Sequence, residues 1–248
     1  MAGALAIGTA IAVYVLPSQI PLLVGSCASS PPSSPGGPAV AGSWGLASAQ
    51  GTTVSDATGQ HPATETNLSW KDGHGGAYFN GFDSQVSTQG QVLDTGPKAS
   101  FTISAWACLT SAVQFSATAV SQDNNEGSKI SGFYLQYAGQ ANRSWSFTRS
   151  SENTSAAAGI DALSTSPADL NTWVHLVGVY DADDGQLRLY VNGVLQDTNT
   201  DKTPFNSNGS LVIGRAEFGG DYVDWFPGYI SDVEVFQQAL TANQVKAI

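Results

Sequence analysis

The sequence predicts an all-β fold in which two antiparallel sheets pack as a sandwich, with a short helical turn at the C-terminal end. Three observations carry this expectation. Apolar and polar residues alternate with a period of two in segment after segment, as half-buried strands require. The 27 glycines and abundant Ser and Thr suit a chain with many turns. Only one convincing helical signal occurs, near the C-terminus.

Residues 2–16 (AGALAIGTAIAVYVL) are nearly all apolar, and no positively charged segment precedes them. The run is shorter than the ~20 residues of a membrane span. Its length suits the apolar region of an export signal. In Val24-Gly25-Ser26-Cys27, small residues precede a cysteine, which resembles a bacterial lipobox. Residues 1–27 are therefore read as a signal or lipoprotein-type export segment, with Cys27 the candidate lipidation site. Two other fates are open to Cys27: removal with the signal, or a disulfide to Cys108 in an oxidising compartment. The disulfide ranks last, because Cys27 borders a flexible Ser/Pro/Gly segment and Cys108 reads as an inert buried thiol. Residues 28–40 (ASSPPSSPGGPAV) read as a linker that proline stiffens and Gly and Ser keep soluble.

Residues 41–248 read as one sandwich domain. In residues 101–109, Phe101, Ile103, Ala105, Ala107 and Leu109 share one face, and Trp106 and Cys108 take the other. Both faces are fairly apolar, as in a central strand. Residues 172–180 place Trp173, His175, Val177 and Val179 together. Asp183-Asp184-Gly185 and Asn192-Gly193 then mark two turns, the second a strong tight-turn signal because both residues tolerate positive φ. The stretch 172–197 thus reads as three strands joined by two hairpins. Further strands are expected at 76–82, 84–88, 113–121, 130–138, 143–149, 210–215 and 228–237. Thr241 with Gln244 three residues later forms a capping-box pattern, which predicts the helical turn.

Charge narrows the function classes. The chain carries 20 acids against 9 bases, a net charge of −11, and every charge lies at or after Asp56. Nucleic-acid binding needs a basic face, and an electrostatic hold on anionic lipid needs the same. Neither is expected, so contact with a membrane is expected only through a lipid on Cys27.

Several strings resemble the laminin G-like, concanavalin A-like jelly rolls of secreted bacterial proteins. They are Thr172-Trp173-Val174-His175-Leu176-Val177-Gly178-Val179-Tyr180-Asp181, Leu187–Gly193, Phe101–Trp106, Leu211–Arg215 and Trp225–Phe236 with Ala239-Leu240-Thr241. Asp56–Gly59 and Ala77–Gly81 fit the family's opening strands. The matches keep the family's order from about residue 44 to 248. The resemblance implies a jelly-roll form of the sandwich and an extracellular, usually ligand-binding, module. It does not imply one ligand, because such folds host many functions.

Two site expectations follow from the resemblance. Related jelly rolls hold a structural calcium between an opening loop and the closing strand, which makes Asp56 and Asp232 candidate ligands and Asp83 a further one. Ser231 stands where the family often has an acid. Related glycosidases use paired carboxylates about 5 Å apart in the retaining case. This chain lacks their Glu-x-Asp-x-Glu run; its nearest pairs are Asp181/Asp183, at a turn, and Asp232/Glu234. No catalytic residue is assigned.

Aromatic rings outside the core are the expected sugar platforms, since the apolar face of a sugar stacks on them. Trp145, Tyr222 and Trp225 are the candidates, with Asp221 and Asp224 as acceptors for sugar hydroxyls. The expected function is an exported or surface-tethered, non-catalytic module that binds an extracellular glycan. A protein-recognition module is the alternative, and a glycoside hydrolase the third reading.

Overall fold

The computed structural model describes Cys27 and residues 37–248, apart from 71–73, 128, 155 and 157. Its strands are β1 (Gly42–Trp44), β2 (Thr53–Val54), β3 (Ala63–Thr66), β4 (Ser69–Trp70), β5 (Ala77–Asn80), β6 (Gln85–Thr88) and β7 (Phe101–Leu109). They continue with β8 (Ala117–Gln122), β9 (Phe133–Tyr137), β10 (Ser144–Ser150), β11 (Gly159–Pro167), β12 (Val174–Asp181), β13 (Gln186–Val191) and β14 (Val194–Thr200). The last four are β15 (Leu211–Ile213), β16 (Ala216–Phe218), β17 (Asp221–Val223) and β18 (Pro227–Phe236). Two one-turn helices, α1 (Gly139–Asn142) and α2 (Ala242–Val245), complete the elements. The predicted export run at 2–16 lies outside the described residues.

The strands form two antiparallel sheets, as expected. The first runs β14-β13-β12-β7-β18-β5-β4, and β1 also pairs with β18. The second runs β11-β10-β9-β8-β15-β6-β3-β2. The β16–β17 hairpin stands apart from both. Along one side of β18, β5 pairs with residues 227–230 and β1 with residues 233–235. Asp232 sits at the junction between them, with φ 45°, and the register with β7 shifts there. This is a β-bulge, which kinks the strand from one partner to the next.

The core lies between the sheets. Phe101, Ile103, Ala105, Ala107 and Leu109 enter it from β7, as the alternation predicted. Phe101 meets Phe133, Phe147 and Tyr180 with ring centroids 5.5–6.3 Å apart. Gly178 makes this packing possible: a Cβ there would stand 2.5 Å from the Phe147 ring. Asn192 (φ 51°) and Gly193 (φ 74°) form the predicted tight turn between β13 and β14. The capping box of α2 is present in both directions between Thr241 and Gln244.

The strands missed from sequence are mostly short. β1, β2, β3 and β4 span two to four residues each, too few to show a period. β11 is longer, but its sequence GIDALSTSP is half polar, because it is an edge strand. Its open edge is sealed from the other sheet: Leu163 N donates to Asp197 Oδ2 (3.1 Å), Thr165 Oγ1 to Gln196 Oε1 (2.8 Å), and Asn199 Nδ2 to the Asp161 carbonyl (2.9 Å). These bonds tie β11 to β14 and keep two edges from pairing with other chains.

The disulfide ranked last in the sequence is the one the fold makes. Cys27 is bonded to Cys108, with Cα atoms 6.1 Å apart. Cys108 projects from the outer face of β7 rather than into the main core, so its sulfur is available to an incoming chain. The Cys27 carbonyl lies 3.1 Å from His74 Nδ1 and accepts from Trp173 Nε1 (3.3 Å). Tyr229 packs beside the bridge and stacks on His74, with centroids 4.6 Å apart. Two expectations are thereby corrected. Cys108 is not a free thiol, and Cys27, its sulfur committed to Cys108, has no thiol left to carry a lipid.

Candidate functional site

A cleft of about 430 Å³ opens where three connections meet. One wall is the β7–β8 loop, with Val113, Gln114, Phe115 and Ser116; the other is Val223, Asp224 and Trp225; Gly81, in the β5–β6 turn, completes the lining. Phe115 is 73% exposed, and Phe82, next to Gly81, is 66% exposed. Large rings this open are costly in water and form sites for apolar faces of partners.

The β16–β17 hairpin supplies the adjoining rim. Its turn is Gly219-Gly220, with φ 65° and 88°, a geometry that glycine adopts without strain. Glu217 N donates to Ser131 Oγ (2.9 Å), and Gly220 N donates to the Lys129 carbonyl (3.1 Å). Both bonds anchor the hairpin to the loop after β8. Tyr222 is 55% exposed on this hairpin. The Arg215 guanidinium lies 3.6 Å from its ring centroid. Arg215 is itself held by Asp123 (2.8 Å) and Gln85 (2.7 Å). The Tyr222 ring is thus held with one face on the guanidinium. Trp225 meets it edge-on at 6.4 Å.

Asp224 follows the hairpin in a left-handed conformation, φ 55°, which turns the chain into the cleft. Its backbone carbonyl accepts from Thr118 N (2.7 Å). Among the described residues, its carboxylate has no hydrogen-bond or ionic partner. Burial pushes its pKa up to about 6. A folded-state value above the unfolded value means that the folded protein holds more protons between about pH 4 and 6, so this group's contribution to stability falls as pH rises through that window. Asp224→Asn is therefore expected to stabilise the protein at pH 7 by about 1–2 kcal/mol and to change nothing below pH 4. Urea unfolding at pH 4 and pH 7 checks this. A less stable variant at pH 7 would show that the carboxylate serves the fold.

The other predicted residues fall as follows. Tyr222, Trp225, Asp221 and Asp224 come together here, with Asp221 exposed on β17. Trp145 does not. It is 2% exposed and packs edge-on against Tyr137 in the core, because β10 alternation sends residues 145, 147 and 149 inward. Of the polar string before it, Asn142 ends α1 and Arg143 caps it, and Ser144 opens β10. Phe82 and Phe115 were missed. Residues 113–121 read as one strand, whereas β8 begins only at Ala117.

The three expected calcium ligands do not form one site. Asp56 spends its carboxylate on β1 and its own loop: Ser43 N (2.8 Å) and Thr58 N (3.1 Å) donate to Oδ1, while Gln60 N (3.1 Å), His61 N (2.9 Å) and the Thr58 hydroxyl donate to Oδ2. Burial alone would raise its pKa, but these bonds outweigh burial and hold it below the usual value. Asp83 accepts from Asn67 and Asn80 beyond the end of β5 that pairs with Pro227, whereas Asp232 sits at the bulge midway along β18. Asp232 accepts from Ser231 Oγ (3.0 Å). Among the described residues, no group of three or more His, Cys, Asp or Glu could hold a metal ion. A calcium cage needs six to eight converging oxygens, and Asp83 stands apart from the other two candidates.

His175, on the strand face the alternation gave it, faces Trp106 and Ser104 of β7. It is buried, its Nε2 lies 2.7 Å from Ser104 Oγ, and it stacks on Trp106 at 5.0 Å. Burial lowers its pKa to about 4, so it is neutral at pH 7.

Comparison with known proteins bears on the fold. Among curated proteins, none matches this chain. A solved domain 4 of AbnA, a GH43 extracellular arabinanase from Geobacillus stearothermophilus in complex with arabinotriose, matches with TM-score 0.63 and 19% identity, over 85% of this chain and 98% of that one. Trypanosoma rangeli sialidase in complex with sialic acid matches at TM-score 0.61 and 15% identity, over 83% of this chain. The chain spans about a third (32%) of that sialidase's length. The binding domain of Paraclostridial Mosquitocidal Protein 1 matches at TM-score 0.61 and 15% identity, over 84% of this chain and 51% of that one. The profile of the laminin G type described as the concanavalin A-like lectin/glucanases superfamily matches residues 79–246, from β5 through α2, and the chain therefore belongs to that superfamily.

Proposed function

We propose that this protein is an extracellular, non-catalytic carbohydrate-binding module, and that the cleft between the β7–β8 loop and the β16–β17 hairpin is its sugar site. The observation that carries the reading is the lining of the cleft, where the exposed ring of Phe115 and the ring of Trp225 stand with Asp224, a carboxylate that has no hydrogen-bond or ionic partner among the described residues. Rings take the apolar face of a sugar and the carboxylate takes its hydroxyls, the usual make-up of a small-molecule site. One carboxylate lines the cleft, whereas acid–base hydrolysis of a glycoside uses two. The fold it shares with an arabinotriose-binding domain supports the choice of ligand class. The Cys27–Cys108 bond supports export, since such bonds persist in oxidising compartments.

Arabinan, arabinotriose and a glycan array are the first probes, each with calcium and with EDTA. Retention is expected, and EDTA is expected to leave it unchanged. Tyr222→Ala and Phe115→Ala are each expected to weaken binding about tenfold without lowering Tm, since loss of one stacking ring is worth roughly 1.4 kcal/mol. Failure of the whole array, with a partner captured on a protein array instead, would replace this reading with protein recognition.

A further inference from the structure

The charges around the cleft narrow the ligand further. Resting on the glycan reading above, we propose that the cleft selects uncharged saccharides and turns away those carrying uronic or sialic acid. Asp224 lines the cleft, Asp221 is exposed on the strand that leads into it, and Asp83 follows two residues after the lining Gly81. Among the described residues, no Lys or Arg lines it. An anionic sugar is normally held by a guanidinium or ammonium aimed at its carboxylate. The guanidinium that comes near, Arg215, stacks behind Tyr222 and is already matched by Asp123 through two contacts of 2.8 Å. Lys129, whose carbonyl holds the hairpin turn, acts on Glu217.

The chemistry of Asp224 points the same way. A half-buried carboxylate without a donor is costly, and a sugar hydroxyl is a donor that removes the cost on binding. A second carboxylate entering the cleft cannot donate at neutral pH and adds like-charge repulsion. That repulsion grows where water is excluded, because the local dielectric falls. The 20-to-9 excess of acids over bases extends the same sign over the molecule and slows the approach of polyanions.

The test measures binding of the full chain at pH 7.5 and low salt to two sets of probes. One set is neutral: arabinan, galactan and lactose. The other is acidic: polygalacturonate and sialyllactose. The neutral set is expected to bind at least about tenfold more tightly than its acidic counterparts. Asp221→Asn with Asp224→Asn is expected to shrink that ratio, and raised salt to shrink it for polygalacturonate. Tm of the double variant controls for folding. Equal or preferential binding of the acidic set would overturn this inference while leaving the glycan reading in place. Retention of neither set would overturn both.

Discussion

Asp201→Ala is expected to destabilise this protein by about 3–5 kcal/mol, the largest effect of any single side-chain truncation considered. Its partner, Arg149, projects from β10 into the interior, where no part of it reaches water. The guanidinium lies 4.2 Å from the ring centroid of Tyr180 and 5.2 Å from that of Phe101. Its Nη2 donates to the carbonyls of Thr95 (2.6 Å) and Phe205 (3.1 Å). Asp201, also buried, is its only ionic partner among the described residues, at 3.8 Å. Burial lowers the Arg149 pKa to about 10, against the opposing pull of Asp201, so the charge persists at pH 7. Removing Asp201 leaves that charge in the core with only carbonyls and rings around it. For a domain of this size the loss corresponds to a Tm lower by roughly 10 °C. Arg149→Met in the same background is expected to recover much of it, because an uncharged side chain needs no counter-ion. Thermal unfolding of the two single variants and the double variant measures the coupling. A cost below about 1 kcal/mol for Asp201→Ala would mean that the carbonyls and rings suffice to hold the charge.

Cys108→Ser carries the second large effect, a loss of about 2–4 kcal/mol. The bridge closes a loop of 81 residues, which removes many conformations from the unfolded chain. It also ties the Cys27 carbonyl to Trp173 and His74 on the outer face of the first sheet. Cys27→Ser is expected to cost the same, and the double variant no more, because one bond is lost in every case. Reductant should bring the wild type down to the variants' Tm and leave the variants unchanged. Two free thiols titrated in protein purified without reductant would contradict the bond, and would reopen Cys27 to lipid attachment.

Both effects arise where local sequence and final environment diverge. Arg149 follows Phe147 on the inward side of a strand by simple alternation. Nothing near it in sequence says that Asp201, 52 residues on, will come to meet it. The same distance problem hid the disulfide, because Cys27 looked bound to its own flexible surroundings.

The sequence by itself determined the strands and the class of fold. The alternation along β7, β12, β13 and β18, the Asn192-Gly193 turn and the capping box of α2 are local signals, and local geometry obeys them. It also determined part of the site, since Tyr222, Asp221, Asp224 and Trp225 lie within five consecutive residues of one hairpin. The tertiary structure alone decided which rings stay in water. Trp145 and Phe115 sit in equally polar strings, yet one is a core residue and the other lines the cleft. Exposure depends on which strand covers a position, and that cover comes from residues far away in the chain. Likewise Asp56, Asp83 and Asp232 are plausible ligands one at a time, but a metal needs them at one point. The fold places Asp83 at the Pro227 end of β18 and Asp232 at the bulge midway along it, and it commits Asp56 to Ser43 of β1 and to its own loop; only the pairing of distant strands could decide that.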